Sequence, residues 1–92
     1  MPNPAINPEP IDGFTNIPQT QSLNWCTGGG APTSYDVYFG TSAIPPFVIN
    51  QTATTFTPTE LEPETTYYWK IVPRNNLGQA LDCPVWSFIT LS

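Results

Sequence analysis

The feature of this sequence that most constrains its fold is a run of aromatic and β-branched residues between Pro63 and Pro73. Side chains in this run alternate with a period of two, so that Tyr67, Trp69 and Ile71 fall on one face. Residues of these types fit a pleated, half-buried surface, and the flanking prolines limit how far a strand ladder can extend. The run therefore predicts a central β-strand with one face in the core.

The composition predicts one folded domain and excludes several classes of partner. The 92 residues suffice for a single modest core, and twelve aromatic residues (three Trp, four Tyr and five Phe) argue against disorder. Lys70 and Arg74 are the only basic residues beside seven carboxylates. Nucleic acids and anionic membrane surfaces, which are bound mainly through Lys and Arg, are therefore not expected as partners.

The first ten residues carry four prolines and little that could pack. Such a segment favours extended polyproline geometry, so we expect residues 1–10 to be a Pro-rich linker and residues 11–92 to form the domain. The N-terminal residues also lack the basic start and apolar run of a signal peptide, and no stretch of the sequence is long and apolar enough for a transmembrane helix.

The rest of the chain has the pattern of short strands joined by Gly- and Pro-containing loops. A first strand is expected after Ile11, followed by strands over residues 22–26, 34–40, 47–49, 52–57, 65–74 and 85–91. The predicted inward side chains of the other strands include Trp25, Tyr35, Val37, Trp86 and Phe88. Strands at intervals of about ten residues, without a helical period, are typical of an all-β sandwich or barrel.

The residue types that usually carry chemistry are scarce. The chain has no histidine, which excludes Ser-His nucleophiles and leaves its two cysteines without a base. Glu60, Glu62 and Glu64 alternate through a turn in which they should face solvent, and no calcium-loop pattern is present. Asp36, on the outer face of its strand, is expected to be an ordinary surface acid. The sequence thus predicts no enzyme, no metal site and no cofactor.

Cys26 and Cys83 are the two cysteines, fifty-seven positions apart. Two thiolates without further ligands do not complete a zinc site, and there is no Cys-x-x-Cys redox motif. The residues themselves leave two possibilities open, which are two free thiols or one disulfide.

Several motifs together resemble a known family. Leu61-x-Pro63-x-Thr65-x-Tyr67 resembles the tyrosine corner of fibronectin type III domains, and the Leu-x-Trp ending at Trp25 and the Tyr-x-Val-x-Phe beginning at Tyr35 occur in that family's order. The segments 35–40, 66–73 and 83–88 look like fibronectin type III modules of secreted or surface bacterial proteins. The resemblance implies a seven-stranded immunoglobulin-like sandwich with strands A, B and E facing C′, C, F and G.

The resemblance also implies roles for particular residues. The Tyr67 hydroxyl would bond to backbone near Leu61 while its ring packs in the core. Cys26 would end strand B and Cys83 would begin strand G, at the same end of the sandwich. We therefore expect a disulfide between them, which would indicate an oxidising compartment.

The outer face of the same sheet offers the candidate binding surface. Tyr38 and Tyr68 should both point outward on neighbouring strands, where they could form a cross-strand pair that stabilises the sheet or contacts a ligand. We expect a monomeric, non-catalytic structural module beside neighbouring domains of a larger extracellular or cell-surface protein. The alternatives are an adhesion module that binds a protein through the B–C and F–G loops or this face, and an ancillary module that binds polysaccharide.

Overall fold

The computed structural model describes residues 2–18, 21–58, 61–81 and 83–91. Its described residues form nine β-strands. These are β1 Ile6–Glu9, β2 Phe14–Ile17, β3 Leu23–Cys26, β4 Ser34–Gly40, β5 Phe47–Gln51, β6 Thr55–Phe56, β7 Thr66–Asn75, β8 Gly78–Gln79 and β9 Trp86–Thr90. No helix occurs in these ranges, so no described segment is a candidate for a membrane-spanning helix.

Two sheets face each other in a sandwich. The smaller sheet has the order β1-β3-β6, and the larger has the order β2-β9-β7-β4-β5 with the short β8 paired to β7. The predicted all-β sandwich is confirmed, and its central strand is β7, which pairs with both β4 and β9. The strand count rises from the expected seven to nine because β1 adds to the smaller sheet and β8 adds to the larger one.

The core lies between the sheets and is built from the inward faces of their strands. On β7 the alternation places Tyr67, Trp69 and Ile71 in the core. Burial of aromatic and branched side chains of this size is the main favourable term in folding. The other core side chains are Ala5, Ile17, Leu23, Trp25, Tyr35, Val37, Leu61, Trp86 and Phe88.

Residues 1–10 do not act as a free linker in the part of the segment that is described. Ile6–Glu9 is strand β1, which pairs antiparallel with β3 so that Ile6 opposes Cys26. Ala5 is buried in the core, and the Asn3 amide donates a hydrogen bond to the Gly29 carbonyl at 3.1 Å. The linker interpretation is therefore corrected: proline lacks a donor, but Pro8 sits on a strand at the edge of the sheet, where it is tolerated.

The glycines after β3 have a packing role that the sequence interpretation missed. A Cβ atom on Gly28 would lie 2.1 Å from the Pro4 carbonyl oxygen, which is far inside van der Waals contact. The Asn3 side-chain amide also donates to the Gly28 carbonyl at 3.0 Å. Glycine is thus needed here because the N-terminal backbone passes directly against this loop.

Two strands differ from their predicted form. The strand expected after Ile11 is β2, and it pairs parallel with β9 of the larger sheet, while β1 occupies the outer position beside β3. The strand expected over residues 52–57 shrinks to Thr55–Phe56. Gln51 explains part of this shortening, because its side-chain amide donates to the carbonyls of Ala53 and Thr55 and holds the chain in a turn.

The expected disulfide between Cys26 and Cys83 is absent. Leu23 and Trp25 point into the core, so the alternation along β3 places the Cys26 side chain on the outer face of the smaller sheet, where it is exposed. Cys83 lies in the segment that enters β9 of the other sheet. The two residues share an end of the sandwich, but the Cys26 thiol faces away from the opposite sheet.

Candidate interaction surface

The turn before β7 is held by hydrogen bonds with two side chains, Tyr67 and Thr90, and the sequence had pointed only to Tyr67. The Tyr67 hydroxyl accepts a hydrogen bond from the Glu62 backbone amide at 2.7 Å, and Leu61 beside it is buried. Pro63 is exposed within the same turn. The hydroxyl of Thr90 on β9 donates to the Glu62 carbonyl and accepts from the Thr65 amide. Thr90 therefore ties the turn to the last strand.

The aromatic residues expected in the core are in contact with one another. Trp69 lies 4.9 Å from Trp86 in an edge-on arrangement, and Trp25 lies 5.7 Å from Tyr35, also edge-on. Edge-to-face geometry of this kind adds to the stabilisation from burial alone. Val37, Ile71 and Phe88 belong to the same core. All seven side chains lie inside the sandwich, so they support the surface and do not form part of it.

The outer face of the larger sheet carries an aromatic cluster centred on Tyr38. Tyr38 opposes Lys70 across the β4–β7 ladder, and the Lys70 ammonium lies 4.6 Å from the centre of the Tyr38 ring. On the other side, the Phe47 ring of β5 meets Tyr38 edge-on at 5.6 Å. One face of the Tyr38 ring is thus occupied by a cation of the same chain.

Tyr38 and Tyr68 do not form the expected cross-strand pair. The β4–β7 register places Tyr68 opposite Gly40, and on its other side Tyr68 opposes Ser87 of β9. Tyr68 is half-buried and lies two residues along β7 from Lys70, the partner of Tyr38. Both tyrosines belong to the outer face, but the partners of Tyr38 are Lys70 and Phe47.

A buried polar cluster lies on the same face, nearer the Thr33 end of β4. Asp36 is 5% exposed, which corrects its interpretation as an ordinary surface acid. Its carboxylate accepts hydrogen bonds from the Arg74 guanidinium and from the Asn50 side-chain amide, the latter at 2.8 Å. The Asn50 amide also donates to the Ser34 hydroxyl at 3.2 Å. Asp36 is covered because Arg74 and Asn50 reach it from the strands on either side of β4.

The alternation of the two strands contained a signal for this cluster. The alternation of β4 and β7 places the side chains of Asp36 and Arg74 on the outer face. The β4–β7 register sets Asp36 opposite Val72, two residues from Arg74. A carboxylate and a guanidinium in this diagonal relation can reach one another. Since Lys70 is engaged with Tyr38, both basic side chains of the chain interact within this one face.

The acidic residues considered for catalysis or calcium are dispersed. Glu62 and Glu64 are exposed in the turn before β7, and Glu60 and Asp82 lie outside the described residues. Within the described ranges, no three carboxylate or thiol side chains are grouped so that they could hold a metal ion. The chemistry that the surface offers is therefore apolar contact, stacking and hydrogen bonding.

Comparison with solved structures identifies the fold. The structure named FN3tt has a TM-score of 0.74 and 20% sequence identity, over 98% of this chain and 95% of that one. The fibronectin type III domain of human fibronectin type III domain containing protein 3 has a TM-score of 0.68 and 22% identity, over 98% and 86% of the two chains. No protein-family model matches the sequence.

A third structure shows this fold within a longer chain. The twitchin kinase region from C. elegans (Fn31-NL-kin-CRD-Ig26) matches with a TM-score of 0.65 and 19% identity. The match covers 99% of this chain and 17% of the twitchin chain. This chain therefore has the fibronectin type III fold, which in twitchin is one module among several.

Proposed function

We propose that this domain is a non-catalytic module that holds its neighbours in a larger protein at a fixed separation. The observation that carries the proposal is the placement of the two chain ends. Asn3 is hydrogen-bonded to Gly29 in the loop between β3 and β4, whereas the Leu91 carbonyl accepts a hydrogen bond from the Glu64 amide in the turn before β7. These two connections lie at opposite ends of the sandwich, because β4 and β7 run the full length of the larger sheet between them.

The shape and packing of the domain suit such a role. The molecule measures 42 × 20 × 20 Å, so a chain that enters at one end and leaves at the other is displaced along the long axis. Asn3, which precedes β1, is hydrogen-bonded to the domain, and this contact limits the rotation of a preceding domain relative to this one. A module held at both ends transmits a defined spacing better than a flexible linker of equal length.

The chemistry of the described residues supports a role without catalysis. The chain has no histidine, Asp36 is engaged by Arg74, and Glu62 and Glu64 face solvent. General acid–base catalysis requires titratable groups that converge on a substrate within hydrogen-bonding distance. The groups described here are either paired with one another or dispersed over the surface.

Carbohydrate binding at Tyr38 is less well supported than a spacing role. A sugar ring stacks on an open aromatic face, but the Lys70 ammonium occupies one face of Tyr38 and Phe47 contacts the ring from the side. These contacts are typical of cross-strand pairs that stabilise a sheet.

We also propose an extracellular or cell-surface location, which rests on the resemblance of three sequence segments to modules of secreted and surface bacterial proteins. Fractionation of the producing cells tests that location directly.

Small-angle X-ray scattering of one domain and of two copies joined in tandem tests the spacing role. The expected result is that the maximum dimension grows by nearly the 42 Å length of the domain. The matched control inserts a flexible Gly-Ser segment between the two intact copies, which should give a broad distribution of distances. A tandem chain whose maximum dimension barely exceeds that of one domain would show copies folded back side by side and would overturn the proposal.

A further inference from the structure

The four outer edges of the two sheets differ in how they are protected from pairing with another chain. An edge strand presents unpaired backbone donors and acceptors, and natural proteins block such edges with proline, charge, irregular backbone or short length. In β1, Pro8 and the left-handed Asn7 interrupt the edge; in β2, the left-handed Asn16 does so. The edge strand β6 has only two residues. Three of the four edges are therefore blocked.

The fourth edge, β5, is interrupted by one irregularity only, a register shift of the β4–β5 ladder between Phe47 and Ile49. Its five residues, Phe47–Gln51, include no proline and no charged side chain, and none has a positive φ. One side of β5 pairs with β4, and among the described residues no strand lies on the other side. The register shift of the β4–β5 ladder falls near Phe47, so Ile49, Asn50 and Gln51 pair regularly.

The side chains of β5 favour an apolar neighbour. Phe47, Val48 and Ile49 are 55%, 44% and 42% exposed, three consecutive apolar residues on an open edge. The polar members of the strand are already engaged within the domain, because Asn50 binds Asp36 and Gln51 binds the following turn. The exposed edge therefore combines free backbone groups with apolar side chains.

The charge distribution indicates which strand fits this edge. An acidic partner would need a free cation nearby, but Lys70 lies over Tyr38 and Arg74 is bound to Asp36. The described carboxylates that are exposed lie away from β5, on β1, before β2 and in the turn before β7. Two copies of this chain can thus approach through β5 without bringing these described carboxylates together.

We propose that β5 is a self-association edge, which pairs antiparallel with β5 of a second copy to form one continuous sheet. Around a two-fold axis perpendicular to the sheet, Ile49 lies opposite Ile49 of the second copy. The pairing departs from the monomer expected from the sequence. A five-residue strand pair buries little surface, so the dimer belongs among low-affinity complexes that form at high local concentration.

Sedimentation velocity over roughly 10 µM to 1 mM, the range in which low-affinity interfaces dissociate, tests the proposal. The wild-type chain should shift from monomer toward dimer, and the amide NMR signals that move with concentration should be those of β5. Ile49→Lys and Ile49→Glu should each remain monomeric, because like charges oppose one another across the two-fold axis. An equimolar mixture of the two variants should restore the dimer.

The control variant is Leu77→Lys, since Leu77 is 78% exposed in the turn between β7 and β8 and should leave the dimer unchanged. Thermal melts verify that every variant is folded. A wild-type chain that stays monomeric at 1 mM would overturn the proposal, as would a dimer that survives both Ile49 variants. Failure of the mixture to associate would overturn the Ile49-to-Ile49 arrangement. Shifts at β5 caused only by an added unrelated strand peptide would assign the edge to another partner.

Discussion

The two faces of β7 show how one strand serves two different purposes. On the inner face, Trp69 is fully buried and contacts aromatic rings from β3 and β9, so its interactions join the two sheets. On the outer face, Lys70 contacts Tyr38 of the adjacent strand, an interaction that remains within one sheet. The inner face therefore determines whether the sandwich forms, and the outer face determines what the sandwich presents.

The outer face is itself divided along its length. Near the Arg74 end of β7 it is closed, with Asp36 and Val72 almost fully buried beneath their neighbours. Toward the start of β7, Tyr68 is half-buried beside Gly40, which has no side chain to cover it. Exposure thus depends on which residues neighbouring strands contribute, and not on the face alone.

The largest effect should come from truncation of the inner face. Trp69→Ala is expected to lower the free energy of unfolding by roughly 3–5 kcal/mol, as large-to-small substitutions of buried aromatic residues do. Tyr68→Ala, the neighbouring substitution on the outer face, should cost about 1 kcal/mol or less, as loss of cross-strand contacts does. Urea unfolding of both variants measures the difference. Equal losses of unfolding free energy in the two variants would mean that the two faces of β7 contribute equally to stability.

The closed part of the outer face should respond asymmetrically to the loss of either charged partner. Arg74→Ala leaves the buried Asp36 carboxylate with the Asn50 amide as its remaining described donor, whereas Asp36→Ala leaves a half-exposed guanidinium that water can solvate. Both should destabilise the domain, by about 1–3 kcal/mol for a charged hydrogen bond, with Arg74→Ala the larger.

The measurement is again urea unfolding, with Asn76→Ala, at an exposed position just after β7, as a control for substitution at this end of the strand. A larger loss for Asp36→Ala than for Arg74→Ala would indicate that the carboxylate becomes hydrated when Arg74 is removed. The buried part of the outer face would then be open in solution, and the contrast between its two halves would disappear.

The sequence predicted the inner face well because that face depends on local alternation. The bounds of β4, residues 34–40, and the inward parity of Tyr35 and Val37 match the structure. A period of two is visible within one strand and needs no knowledge of its neighbours.

The features that the sequence did not predict depend on contacts between distant segments. The burial of Asp36 requires Asn50 and Arg74 to arrive from other strands, and the pairing of β1 requires a close approach to Gly28. The Pro-rich composition of residues 1–10 hid an edge strand in which proline is acceptable. The disulfide prediction failed for a different reason: it used the shared end of the sandwich and did not apply the alternation of β3 to Cys26.

Removal of the hydroxyl group should affect the stability of the domain differently at two adjacent tyrosines, Tyr67 and Tyr68. Tyr67→Phe removes the acceptor of the Glu62 amide and should cost on the order of 1 kcal/mol, as the loss of one buried hydrogen bond does. Tyr68→Phe is the matched control on the outer face and should change the stability by a few tenths of a kcal/mol at most, as substitutions on exposed surfaces do. Amide hydrogen exchange at Glu62 should accelerate only in Tyr67→Phe. Unchanged stability and exchange in that variant would remove Tyr67 from its role in the turn.

The smallest effect concerns the contact between Lys70 and Tyr38, and it decides how open the surface is. A cation over an aromatic ring at an exposed site contributes about 0.5–1 kcal/mol. Tyr38 also contacts Phe47, so Tyr38→Leu alone removes two interactions. A double-mutant cycle of Lys70→Met with Tyr38→Leu isolates the shared term, because the Phe47 contribution and the change in net charge cancel. A coupling within error of zero would mean that the ammonium does not cover the ring, leaving Tyr38 available to a ligand and restoring the carbohydrate-binding alternative.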